Sequence, residues 1–453
     1  MPKNTILADK GKEDALFRKI SWRLLPFLFL CYVMAQIDRF NISFAKLQFL
    51  QDLHIDDQAF GLAAGILTVG YVMFEIPSNV WLERIGARRT ISRIMVLWGA
   101  ITALMMFIST AWHLYVLRFL LGAAEAGFLP GLIFYLSLWF PERRLGSATS
   151  WVLIAVPITG VVNGPLSGWI MSDLDGALGF HGWQWLFLIT GLPAVVCGIC
   201  AFFWLSDRPS DVTWLSPEEK SLIDAGPRRA PEHVGRQLAA LLRHPGFYLL
   251  LFSYFTIFLS LNAIILWQPT LVKAIPGESI RSVGWIIGFA SLVAAAGTMG
   301  VSYASDYFHE RRVHILACGL IGGISMILLP RTNSSVLLTI VLLCAASIGI
   351  YSALSLFWTL SRSFLSENVR AVGVAAISSV GATAGFFGPI FVGWLKVTTG
   401  SFAIAFGAIG VSLMLGVVVL IIVFGREGSR WGDKTIGAPK VSFASPSLPP
   451  GVA

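Results

Sequence analysis

The chain has 453 residues, 56% of them apolar and 13% charged, with a mean hydropathy of +0.74 and a formal charge of +8. A soluble protein cannot display that composition without precipitating, so the sequence is that of a polytopic membrane protein. All five cysteines, Cys31, Cys197, Cys200, Cys318 and Cys344, fall in apolar runs, which implies neither an extracellular disulfide framework nor a zinc site.

In chain order, residues 13–23 come first, setting Leu16, Phe17, Ile20 and Trp22 among Arg18, Lys19 and Arg23. That pattern predicts a helix lying on the inner membrane surface. The apolar run 24–48 is too long, and too soon followed by 59–82, to be a cleaved signal peptide. Further runs cover 91–111, 113–138, 147–171, 183–205, 247–272, 283–305, 313–330, 335–360, 371–395 and 402–424. Each is long enough to cross a hydrocarbon core about 30 Å thick. The prediction is an all-α membrane protein of twelve transmembrane helices.

A hydrophilic stretch, 206–246, splits these helices into two groups of six. The expected organisation is an N-terminal segment (1–23), a six-helix bundle (24–205), a linker (206–246), a second bundle (247–424) and a tail (425–453). In the linker, Ser216 followed by Pro217, Glu218 and Glu219 reads as a capped short helix. The end of the tail, SFASPSLPPGVA, has a disordered composition. With the N-terminus inside, the cytoplasmic segments hold 26 of the 33 Lys and Arg residues. The outer side holds Lys46, Lys273, Arg281, Arg331 and Lys396. This asymmetry predicts that both termini are cytoplasmic and accounts for the basic charge without a nucleic-acid partner.

The bundles repeat one another. Glu83, Glu142 and the GPLSGW run from Gly164 have counterparts in Asp306, Glu367 and the GPIFVGW run from Gly388, at offsets of 223, 225 and 224 residues. Parallel repetition of six-helix units suits a transporter whose halves rock about a midplane site. The glycines at 160, 164 and 168 form a groove that lets a neighbouring helix approach closely, and Gly381 with Gly385 repeats the device.

Four ionisable residues within the first bundle's apolar runs stand out: Asp38 and Arg39 in the first, Arg118 and Glu125 in the fourth. A charge at the bilayer centre costs at least about 2.5–3.5 kcal/mol, so it faces a polar cavity, finds a partner or is neutralised. Arg118 and Glu125, seven residues apart, share a helix face, whereas the adjacent Asp38 and Arg39 diverge by about 100° and need separate partners. Two readings fit: salt bridges that hold the first and fourth helices together, or an anion site coupled to a proton. The chemistry favours the second. Arginine keeps its charge and presents a planar fork to a carboxylate, which makes Arg39 the anion anchor. A carboxyl group withdrawn from water takes up a proton more readily, so Asp38 and Glu125 are the proton-coupling candidates.

The motif ERIGARR, Glu83 to Arg89, resembles the cytoplasmic loop signature of the major facilitator superfamily, although Asn79 and Glu83 stand where that signature has glycine and aspartate. Within that superfamily, YVMAQIDRFNISFA, GYVMFEIPSN and RFLLGAAEAGFLPG are similar to the anion:cation symporter family, over about residues 20–425. The resemblance implies the major facilitator fold, with two pseudo-symmetric six-helix bundles. It also implies proton-coupled uptake of an organic anion such as tartrate, a sugar acid or an aromatic acid. It places proton coupling on Asp38 and Glu125, substrate on Arg39, with Arg118 beside them, and Tyr71 in the cavity. Glu83, Arg84, Arg88, Arg89, Glu142, Arg143 and Asp306 would form a cytoplasmic charge latch, as against a merely solvated basic face. Asn262, Gln268, Trp358, Ser361, Ser378 and Ser379 are the second bundle's polar candidates, without distinctive spacing. Ala382 and Thr383 stand where many relatives have asparagine, which leaves room for a smaller or more apolar acid.

No nucleophile, metal cluster or phosphate loop is legible, so an enzyme is not expected. The expected cofactor is none beyond the coupling proton. The expected partners are a small organic anion and the lipid bilayer, with the chain acting as a monomer in the inner membrane. A drug-efflux antiporter on the same scaffold is the alternative, against which two intramembrane arginines argue for anions.

Overall fold

The computed structural model describes residues 3–223, 234–332 and 335–427; the side chains of Glu83 and Glu367 and the whole of the tail beyond 427 lie outside the described residues. Every regular element among the described residues is helical. Among the described residues, twelve helices are long and apolar enough to cross a membrane. They are Gly11–Asp52, Asp57–Leu82, Ala87–Phe107, Ala111–Trp139, Glu142–Asp173, Gly182–Trp204, Pro245–Lys273, Ile280–Tyr307, Arg311–Arg331, Val336–Ser361, Val372–Thr399 and Ala403–Ile422, the first to the twelfth span. An even number of spans returns the chain to the side on which it started. We call that the near side and the opposite one the far side.

The expected surface helix at the N-terminus takes a different form. Residues Lys3–Asp52 form one continuous helix, and Leu16, Phe17 and Ile20 are buried. Phe17 packs against Phe140 at a ring separation of 6.0 Å. The apolar stripe that reads as membrane-facing is thus covered by protein, and only Trp22 stays exposed. The linker adds a short helix, Pro217–Leu222. Ser216 Oγ accepts from the Glu219 N–H, and the Glu219 carboxylate accepts from the Ser216 N–H, which is the reciprocal cap that Ser-Pro-Glu-Glu encodes.

Two spans that read as unbroken in the sequence are interrupted. The fourth is helical over Ala111–Glu125 and again over Phe128–Trp139, with Gly127 at a φ of 85° between them. Only glycine adopts that conformation without a steric penalty. The fifth breaks at Ile154, between Glu142–Leu153 and Ala155–Asp173.

Glycine also decides where the halves meet. A Cβ built on Gly164 would lie 2.5 Å from the Gly284 carbonyl oxygen, and one on Gly168 3.2 Å from the Gly284 Cα. The fifth and eighth spans therefore touch backbone to backbone, as the 160/164/168 groove anticipates. Gly61 and Gly65 of the second span approach Pro389 and Phe386 of the eleventh in the same way. These contacts are confined to the far side, where Asp173 also pairs with Arg281. Along the same stripe of the second span, Val72 is exposed and Glu75 half-buried, and Ser378 and Ser379 across from them are exposed. On the other seam Leu153 and Met299, which continue the register of Gly164 and Gly284, are exposed too. The halves are closed at the far side and part towards the near side.

Candidate functional site

The first span carries the centre of the site. Arg39 Nε donates to Glu125 Oε2 at 3.0 Å. The two partners differ sharply in environment, since the arginine side chain is 46% exposed and the glutamate side chain 3%. The guanidinium thus lines the cleft while the carboxylate backs it from behind. Glu125 is the last residue of the first half of its broken span. The unsatisfied carbonyls of a helix C-terminus carry partial negative charge there, which disfavours a carboxylate and makes the Arg39 charge its main support. One Glu125 oxygen, Oε1, is buried without a hydrogen bond.

Asp38 points elsewhere, as a helix separation of about 100° requires. Its Oδ1 accepts from Asn41 Nδ2 at 3.0 Å and its Oδ2 from Thr102 Oγ1 at 2.8 Å. Asn41 Nδ2 also donates to Thr190 Oγ1 at 3.0 Å. The carboxylate is held among the first, third and sixth spans and is 1% exposed. Arg118 lies within electrostatic reach of both Glu125 and Asp38. Its Nε and Nη1 are buried without a hydrogen-bond partner. A guanidinium with unused donors between two carboxylates can favour either one.

Tyr71 closes the cluster, its ring centroid 5.7 Å from Arg39 Cζ. It is placed by an unusually close crossing of the second and fourth spans, where Gly70 meets the Phe119 carbonyl and Gly122 the Leu67 carbonyl. Asp38, Arg39, Arg118, Glu125 and Tyr71 therefore form one cluster. Sequence reading missed Asn41, Thr102 and Thr190, which orient Asp38. Asn41 had a signal, three residues after Asp38 on one helix face; the two threonines had none. Glu75, one turn beyond Tyr71, is a further acid inside a span that the reading passed over, and it has no ion-pair partner among the described residues.

The second half contributes neutral groups. Gln268, Tyr351, Ser291 and Ser347 line a small central cavity with Asn163 and Ser43 of the first half. Asn262 donates to its own helix at the Phe258 carbonyl, and Ser361 to Trp358. Tyr254 meets Trp358 edge to face, with ring centroids 5.0 Å apart. Ser378 and Ser379 lie towards the open end and outside this cavity.

The near-side charges are engaged within their own halves. Arg143 pairs with Glu13, and Arg144 with Glu13 and Asp14 of the first helix. The Arg88 N–H donates to Asp207 at 2.9 Å, and its guanidinium stacks 4.7 Å from the Phe202 ring. Asp306 pairs with Arg311 at 3.3 Å. Arg84, Arg89 and Glu142 are exposed.

Twelve spans in two halves that meet along a seam, around a buried charge cluster, define a membrane transporter. The chain belongs to the major facilitator superfamily, whose family model matches residues 28–389. It is 39% identical over 397 residues to the putative metabolite transport protein NicT of Pseudomonas putida, covering 87% of this chain and 90% of that one. It is 37% identical to a putative tartrate transporter of Agrobacterium vitis, over 91% and 95% of the two chains. It is 34% identical to a quinolone resistance transporter of Acinetobacter baumannii, over 91% and 96%. The fold matches that of the D-xylose-proton symporter with a TM-score of 0.70 at 14% identity, over 88% and 97%. These relatives agree with the anion:cation symporter resemblance of the sequence.

Proposed function

We propose that this protein is a proton-coupled symporter that takes up a small organic carboxylate, tartrate or another hydroxy or aromatic acid, by alternating access. The observation that carries this reading is the Arg39–Glu125 pair, a cleft-facing guanidinium held at 3.0 Å by a buried carboxylate. An incoming carboxylate competes with Glu125 for the same fork. Protonation of Glu125 frees Arg39 for the anion; loss of the anion returns Arg39 to Glu125. Asp38 is the second proton-coupling acid, with Arg118 between the two carboxylates. The near side is the cytoplasm, the protein works as a monomer in the inner membrane, and the proton is its only cofactor. The names of the tartrate and metabolite transport relatives support the substrate class.

Reconstituted vesicles given radiolabelled carboxylates from outside test the proposal. Asp38→Asn and Glu125→Gln are expected to abolish accumulation driven by a proton gradient while sparing exchange of substrate down its own gradient. Retention of uphill uptake in both variants would refute the coupling. The quinolone resistance relative favours one alternative, efflux of amphoteric compounds on the same scaffold. In that case a proton gradient that is acid outside empties the vesicles instead of filling them.

A further inference from the structure

Lys46 follows Arg39 by seven residues on one continuous helix, so the two share a face and are about 10 Å apart along it. Lys46 lies on the far side of Arg39. The sequence counts it among the outer basic residues, yet its side chain is 1% exposed. Its Nζ is buried without a hydrogen-bond partner. Two aromatic rings hold it instead, Trp267 with its centroid at 3.4 Å and Phe60 at 4.4 Å. Asp57 is its ion-pair partner at 3.8 Å, beyond hydrogen-bond range, and its Oδ1 is likewise without a hydrogen bond. Lys396 is the other charge within electrostatic reach.

An ammonium with no hydrogen bond inside a membrane-spanning seam is costly, and an aliphatic side chain would fill the same volume without that cost. Its retention calls for a use. Lys46, Phe60 and Asp57 belong to the first half, whereas Trp267 belongs to the seventh span, in the second half. The shortest contact of the ammonium therefore crosses the seam, and it exists only while the far side is closed. When the halves part there, Trp267 withdraws and the ammonium faces water, one step outward of Arg39 on the same helix face.

We propose that Lys46 is the outer anion-receiving residue: it binds the substrate carboxylate when the far side is open, passes it to Arg39, and rests on Trp267 when that side shuts. The inference rests on the carboxylate reading above for its ligand and on the seam geometry for its motion.

Two measurements test it. In a chain whose five native cysteines are replaced by alanine, Gln268→Cys, in the central cavity, reports far-side opening through labelling by an impermeant maleimide. Trp267→Leu is expected to speed labelling several-fold and Lys46→Met, which leaves an aliphatic side chain in the closed seam without the buried charge, to slow it several-fold, with Lys46→Arg close to the parent. Sided uptake of radiolabelled tartrate in vesicles, with benzoate as a second probe, then separates the roles. Lys46→Met is expected to raise the KM for entry from the far side about tenfold and to change near-side KM less than twofold. Trp267→Leu, which keeps the ammonium, is expected not to raise far-side KM. Unchanged labelling in both variants overturns the gate, and equal KM changes on the two sides overturn the anion role. Failure of the carboxylate reading shows itself differently, as no tartrate or benzoate uptake by the parent chain, and the labelling result still decides the gate.

Discussion

From the seventh span to the twelfth, Asp, Glu, Lys and Arg occur only near the helix ends, whereas the first half carries Asp38, Arg39, Glu75, Arg118 and Glu125 well inside its spans. Both halves have the same six-helix architecture, so the difference is one of chemistry. The first half holds the charge; the second offers aromatic and neutral polar surface, as at Tyr254, Trp358 and Gln268. Charges that must respond to one another work best on one rigid body, where their distances do not change as the halves rock. The second half is then free to serve as a moving wall, which needs shape and close packing more than charge.

The substitution that strikes hardest at this division is Arg39→Gln. It removes the only cleft-facing fork of the cluster and leaves the buried Glu125 carboxylate without its hydrogen-bonded partner, with only Arg118 in electrostatic reach, a change that costs about 2–5 kcal/mol for a truncated charge pair. Carboxylate binding is expected to fall at least a hundredfold, read as lost protection against thermal unfolding by tartrate or benzoate. Arg39→Lys restores the charge without the fork and is expected to recover only part of the binding. Equal binding by the parent and Arg39→Gln would move the anion site off Arg39 and end its part in the comparison.

The seam comes next. Gly164→Leu would drive side-chain atoms into the Gly284 backbone, where even a Cβ lies 2.5 Å from the carbonyl oxygen. Overpacking of this kind costs about 1–3 kcal/mol, and the cost falls only on the state in which these helices touch. The balance is expected to shift about tenfold or more towards the far-open state, measured by labelling of a cysteine at position 268. Gly407→Ala is the matching control, because nothing lies within 4 Å of a Cβ there.

What the sequence disclosed and what it hid follow one physical line. Periodicity and hydropathy show the twelve spans, since each helix satisfies its own backbone and its apolar length is written in consecutive residues. The charges of the cluster are legible because each is out of place among its neighbours. Pairings are not, for they depend on crossing angles and depth: nothing in the string says that Arg39 reaches Glu125 and leaves Asp38 to Thr102. The break after Glu125 hid behind an apolar run, its only mark being Gly127. The burial of Lys46 was illegible for the opposite reason, since a lysine near a helix end normally reaches water.

The smallest effect is expected at the near side, where the first helix meets the linker. Lys19 Nζ donates to both Glu219 oxygens, at 3.0 and 3.1 Å, on an exposed surface. The Ser216 N–H and then the Lys19 ammonium hold the Glu219 carboxyl below its ordinary value. A carboxyl depressed in this way contributes its stability above the ordinary carboxylate range and loses it as pH falls through the lowered value. Between pH 5.5 and 7.5 the pair is therefore constant. Exposed ion pairs contribute about 0.2–1 kcal/mol, so Lys19→Ala is expected to lower the thermal midpoint by a few degrees at most, equally across that range. Its transport rate is expected to keep the pH profile of the parent. A pH dependence of uptake that survives Lys19→Ala and disappears in Glu125→Gln places the titrating group in the first half's cluster, whereas one lost with Lys19 would place it at the linker.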